Sequence, residues 1–118
     1  MLSRIVSSVG TGLARLSGDA DDIIIGDSDT AFHADADNNI AIGKDALDAT
    51  SGAATANIAI GKESLTSNTL GDNNVAVGYQ TLSSATSGSN DNVAIGHLAM
   101  SGAIAAELVD DCVAIGSG

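Results

Sequence analysis

The chain has 118 residues, a formal net charge of −11, one cysteine, and neither proline nor tryptophan. Its length bounds it to a single domain, and the lone Cys112 excludes an intrachain disulfide framework. Phe32 and Tyr79, the only aromatics, offer too little large apolar surface for an ordinary compact core.

Charge is uneven along the chain. Residues 1–18 carry Arg4 and Arg15 and no acid, whereas residues 19–118 carry all fifteen acids against Lys44 and Lys62. So acidic a body should repel nucleic acid and anionic membrane surfaces. No apolar run approaches the roughly 20 residues of a membrane-spanning helix, so no membrane insertion is expected.

Residues 1–18 begin like a secretion leader, but Gly10, Gly12 and Arg15 interrupt any apolar centre, and no export signal is expected. Ile5, Val6, Val9, Leu13 and Leu16 fit one face of a helix with Ser3 as its N-cap. Gly10 and Gly12 would weaken that helix by about 1 kcal/mol each. The alternative is an extended arm that orders on a partner, or a terminus that merely caps the first coil. The shift in composition and charge sign makes 1–18 the expected attachment arm, with Arg4, Ile5, Val6, Val9, Leu13, Arg15 and Leu16 as its contacts.

Residues 19–38 form an acidic lead-in containing the first strand, Ile23-Ile24-Ile25. His33 with Asp35 and Asp37, near Asp27 and Asp29, is the one tempting metal cluster. A calcium-binding β-roll would repeat a double-glycine and Asp motif in every turn, and this chain does not. A solvated acidic loop is expected, with no metal and no cofactor.

From residue 22 the chain repeats itself. Asp22-Ile23-Ile24-Ile25-Gly26 is followed by Asn39-Ile40-Ala41-Ile42-Gly43, Asn57-Ile58-Ala59-Ile60-Gly61 and Asn74-Val75-Ala76-Val77-Gly78. Asn92-Val93-Ala94-Ile95-Gly96 and Cys112-Val113-Ala114-Ile115-Gly116 complete the series, with steps of 17, 18, 17, 18 and 20 residues between glycines. A period of that size predicts stacked coils: an all-β short-coil β-roll, or β-solenoid, of about six coils spanning residues 19–118. At roughly 4.8 Å per rung, six coils rise only about 25–30 Å.

Within each coil, large and small side chains alternate at the period of a short strand. The β-branched pairs, Ile40 and Ile42, Ile58 and Ile60, Val75 and Val77, Val93 and Ile95, Val113 and Ile115, are expected inside. They would share the coil core with a second apolar column, Leu47, Leu65, Leu82 and Met100. Ala41, Ala59, Ala76, Ala94 and Ala114 are then expected outside. An exposed position kept at Ala suggests a backbone packed close against it, and so a contact between subunits. Gly26, Gly43, Gly61, Gly78, Gly96 and Gly116 end the strands where the chain turns through φ > 0. Mid-coil Gly52, Gly71 and Gly88 mark a second corner. Asn39, Asn57, Asn74 and Asn92 precede the strands and can bond one another as a ladder. Cys112, in the last coil, is expected to be a small buried apolar residue.

Chemistry-bearing motifs are lacking. His97 occupies the slot held by Lys44, Lys62 and Tyr79 in earlier coils, which predicts four exposed variable positions. No Ser-His-Asp set, Cys-His pair or phosphate-cradling loop is present, and the glycines follow from the period alone. An 18-residue coil of three hexapeptides, as in acyltransferases, would need aliphatic corners where Asp48, Thr66 and Asp72 stand. No enzyme is expected.

Asn-Val-Ala-Ile-Gly resembles the head repeats of trimeric autotransporter adhesins. The longer run from Asn74 to Gly88 is similar to related repeats in bacteriophage fibre and virion-surface proteins. The resemblance covers about 22–116. It implies a homotrimer, three rolls packed around a threefold axis, with the alanine column at the contact. It further implies a non-enzymatic structural protein of the virion surface, made in the host cytoplasm. The expected role is a capsid decoration (cement) or short spike protein docked on a phage coat or tail protein through residues 1–18. The alternative is a receptor-binding tail fibre or adhesin head recognising a host-surface glycan or protein. Without an export signal, heptad stalk or membrane anchor, a cell-anchored adhesin is not expected.

Overall fold

The computed structural model describes residues 13–16, 22–26, 36–50, 52–85, 88–102 and 109–118. Seven short strands lie side by side in chain order: β1 (Leu13–Leu16), β2 (Ile23–Gly26), β3 (Ile40–Ile42), β4 (Ile58–Ile60), β5 (Val75–Val77), β6 (Val93–Ile95) and β7 (Val113–Ile115). The last six run parallel and in register, so that Ile24, Ala41, Ala59, Ala76, Ala94 and Ala114 form one column. Among the described residues there is no helix.

The parallel strands wind a β-solenoid of about four turns. That is fewer than the six coils the six repeats suggest. Six strands bound only five intervals, and those between β2 and β3 and between β6 and β7 run through residues outside the description. At the other edge, β1 pairs antiparallel with β2, Ala14 opposite Ile25 and Arg15 opposite Ile24. The helical reading of residues 1–18 therefore does not hold for 13–16, whose backbone joins the sheet. The remainder of that segment lies outside the described residues.

The interior corrects the expected facing of the strands. Ala41, Ala59, Ala76 and Ala94 are fully buried and cluster with Leu47, Leu65 and Leu82. Ile40, Ile42, Ile58, Val75, Val77 and Val93 are only half-buried, and Ile60, Ile95, Val113 and Ile115 are exposed. The alanines thus line the inside of the coil and the β-branched residues its outside. The reason is volume. The leucine column already fills most of the coil's width, and only a methyl group fits opposite it. Met100 packs against this cluster from its edge.

Leu47, Leu65 and Leu82 reach the interior by an unusual route. Their φ values are 54°, 50° and 51°, in the left-handed region that costs a branched side chain roughly 1–2 kcal/mol. Complete burial and a backbone hydrogen bond to the next coil hold each one there. Leu47 N–H donates to Ser64 O, Leu65 N–H to Thr81 O and Leu82 N–H to Ala99 O, all at 3.0 Å.

The asparagines form the polar half of the core. Asn57 Nδ2 donates to Asn39 Oδ1 (3.2 Å) and to Gly71 O (2.7 Å). Its Oδ1 accepts the backbone N–H (3.0 Å) and side-chain amide (3.1 Å) of Asn74. Asn74 and Asn92 repeat the pattern, so these buried amides are satisfied by the coils around them. At the first rung Asp22 accepts Asn39 N–H at 2.6 Å, a task that needs only an acceptor. A parallel ladder runs two residues earlier. Asp72 Oδ1 accepts Thr55 N–H (2.7 Å), Asn90 Oδ1 accepts Asp72 N–H (2.9 Å), and Asp110 Oδ1 accepts Asn90 N–H (2.7 Å).

The turn glycines all have positive φ. Gly43 shows why nothing larger fits: φ is 130°, and a Cβ there would lie 2.8 Å from the backbone of Gly61 in the next coil.

Candidate functional site

Two surfaces follow from this architecture. The first is the outer face of the sheet. Alternation along the strand, once Ala is inside, sends both β-branched neighbours outward in every coil. Ile23 (39 %), Ile25 (45 %), Ile60 (36 %) and Ile95 (39 %) are exposed, and Val113 and Ile115 at the last strand more so. Scattered exposed aliphatics are ordinary; here they line up as two unbroken apolar columns along one face. A hollow of about 330 Å³ opens at the β7 end of the solenoid, lined by Ala99, Met100, Val113, Ala114, Ile115, Gly116, Ser117 and Gly118.

The second surface is the slot after each turn glycine, where Lys44, Lys62, Tyr79 and His97 are all exposed. Tyr79 and His97 stack with ring centroids 5.4 Å apart and planes 17° apart. Lys62 Nζ lies 5.7 Å from the centre of the Tyr79 ring, within cation–π range. The flanking residues knit the stripe together. Lys62 pairs with Glu63 at 2.8 Å, Lys44 with Asp45 at 2.9 Å, and Gln80 Nε2 donates to Glu63 Oε2 at 2.5 Å. The bond from Lys62, then that from Gln80, holds the Glu63 carboxyl below its ordinary value. The same bond to Glu63 raises Lys62.

No protein-family model, curated protein or solved structure matches the chain.

The function must therefore be read from these surfaces. Of the expected subunit contacts, Ala41, Ala59, Ala76 and Ala94 are sealed inside, and Ala114 is half-buried in the last strand. The four sealed alanines are out of reach of another chain, and the outward Ile and Val columns stand where a neighbour could reach. Of the attachment residues, Arg4, Ile5, Val6 and Val9 lie outside the described residues, while Leu13, Arg15 and Leu16 have their backbone in β1. His33, Asp35, Asp27 and Asp29 also lie outside. Among the described residues no three potential ligands come together as a metal site, and no helix is long and apolar enough to cross a membrane. Cys112 is half-exposed rather than buried. Its N–H continues the asparagine ladder to Asn92 Oδ1 at 3.1 Å, and its Sγ lies 3.4 Å from Asp110 O.

The sequence places Tyr79 and His97 in exposed slots but does not by itself give their stacking. Their spacing of 18 residues, one coil, carried the signal.

Proposed function

We propose that this chain is a non-enzymatic structural protein of a virion surface, a capsid decoration or short spike protein. It assembles as a homotrimer through its outward Ile and Val columns, and the segment before β1 docks it on a coat or tail protein. The observation that carries the reading is the outer apolar face: the coil interior is already filled by Ala and Leu, which leaves two columns of Ile and Val facing outward as surface for copies of the chain to cover. The resemblance of the Asn-x-Ala-Ile/Val-Gly repeats supports threefold packing and the virion setting. The arm's positive charge suits a partner surface of opposite sign, while the acidic body stays off nucleic acid.

The test separates arm from body. Because Leu13–Leu16 pair with β2, the informative deletion is residues 1–12, which leaves β1 in place. That deletion should preserve the assembled mass and abolish incorporation into virions. Incorporation at the level of the full chain would overturn the docking role.

A receptor-binding fibre or adhesin head is the second reading. What favours it is the preorganised Lys62–Tyr79–His97 stripe, which the structural role does not use.

A further inference from the structure

We propose that the Lys62–Tyr79–His97 stripe binds an uncharged glycan laid along the solenoid axis. The proposal rests on the receptor-binding reading and names its ligand class.

The first argument is concentration. Outside residues 1–18 the chain has two lysines, two histidines and two aromatics, and Lys44, Lys62, Tyr79 and His97 all stand in one column of exposed slots. The body around them is otherwise acidic and aliphatic, and the interior needs none of the four.

The second is rigidity. Backbone bonds tie each slot to the next: Glu63 N–H to Lys44 O, Gln80 N–H to Lys62 O and Leu98 N–H to Tyr79 O, each at 2.9 Å. Stacking and the ion pair then bias the side chains toward one arrangement, which reduces the conformational freedom to be lost on binding. Each slot stands two residues past the end of its strand, beyond the turn glycine.

The third is the match of chemistry. Both lysines already face a carboxylate, Asp45 or Glu63, which leaves the stripe close to neutral. In a body this acidic, that disfavours a sulfated or sialylated chain. What remains is planar hydrogen-bonding groups, the Glu63 carboxylate and Gln80 amide, beside aromatic surface. One face of the His97 ring rests on Tyr79. The corresponding slot of the last coil holds Ser117, a small side chain, and His97 is exposed. A flat aromatic face takes the C–H face of a pyranose, and the planar groups take its rim of hydroxyls. A protein partner would call for an apolar anchoring pocket, whereas the stripe offers exposed rings flanked by polar groups.

The test uses the full chain, labelled, on an array of uncharged, sialylated and sulfated oligosaccharides with control peptides. Uncharged oligosaccharides should be retained. Tyr79→Ala and His97→Ala should each weaken the best of them about tenfold, while His97→Phe, which keeps a flat ring, should restore most of the binding. Circular dichroism and sedimentation of each variant check that coil and mass are unchanged. Retention of no glycan, preference for sulfated ones, retention of peptides alone, or full binding by Tyr79→Ala would each overturn the proposal. The sedimentation mass reports on assembly separately, so a monomeric chain that still binds sugar would contradict the trimer and not the stripe.

Discussion

The two faces of one three-residue strand behave oppositely. In β4 the Ala59 methyl is fully buried, while Ile60 beside it is 36 % exposed. Hydrophobicity alone would place them the other way round. In a thin coil the available volume, not the hydrophobicity of each residue, decides which side chain goes inside. The larger apolar groups are left over for another surface to cover.

The inner face should be the easier to break. Leu65→Ala opens a cavity in the middle of the leucine column and should cost about 3–4 kcal/mol in denaturant unfolding, by the same amount at every protein concentration. Ala59→Ile, which puts the outer residue type inside, should cost about 2–3 kcal/mol by overpacking. A near-neutral result would mean that the alanine column is not enclosed. Ile60→Ser on the outer face should cost about 1 kcal/mol, and that loss should change as the protein is diluted, because it acts through association.

Away from both faces the effects shrink. Ala56 has a φ of 57° in a slot that holds Asn38, Asn73, Asp91 and Asp111 in the other coils. Ala56→Asn, better suited to that conformation, should raise stability by about 0.5–1 kcal/mol in the same unfolding experiment.

The smallest effect concerns pH. Glu63 is lowered in the folded chain, chiefly by Lys62 and then by Gln80. Its contribution is therefore present above the unfolded value of about 4.3 and is lost as pH falls through the lower folded value. Lys62, raised by Glu63, contributes below its ordinary value and loses that contribution as pH rises through the raised one. In thermal melts across the acid range, Glu63→Gln should shallow the fall slightly. The pair is exposed, so a large change would be unexpected.

Much of this was legible in the residues. The Asn-x-Ala-x-Gly spacing gave the strands, their parallel register, the turn glycines and the asparagine ladder, because each coil must place like residues over like. The polarity of the strand was not legible. Alternation says that Ala59 and Ile60 point opposite ways but not which way is in, and that depended on the space left by Leu65. Leu47, Leu65 and Leu82 at positive φ run against local preference, so only the stacked coils could reveal them. Strand β1 was hidden by Gly10 and Gly12 beside an apolar spacing that suits a helix. The second ladder, Asp72, Asn90 and Asp110, keeps the same 18- and 20-residue spacing as Asn74, Asn92 and Cys112. Of the candidate site, the exposed slots were legible one by one. The Tyr79–His97 stack needed the coil that brings residues 18 apart into contact.

Native mass spectrometry of the unmodified chain, set beside an Ile60→Glu, Ile95→Glu variant, tests most directly whether the outward columns are covered by copies. Three chain masses for the unmodified protein and one for the variant are expected. A single chain mass for both would contradict it.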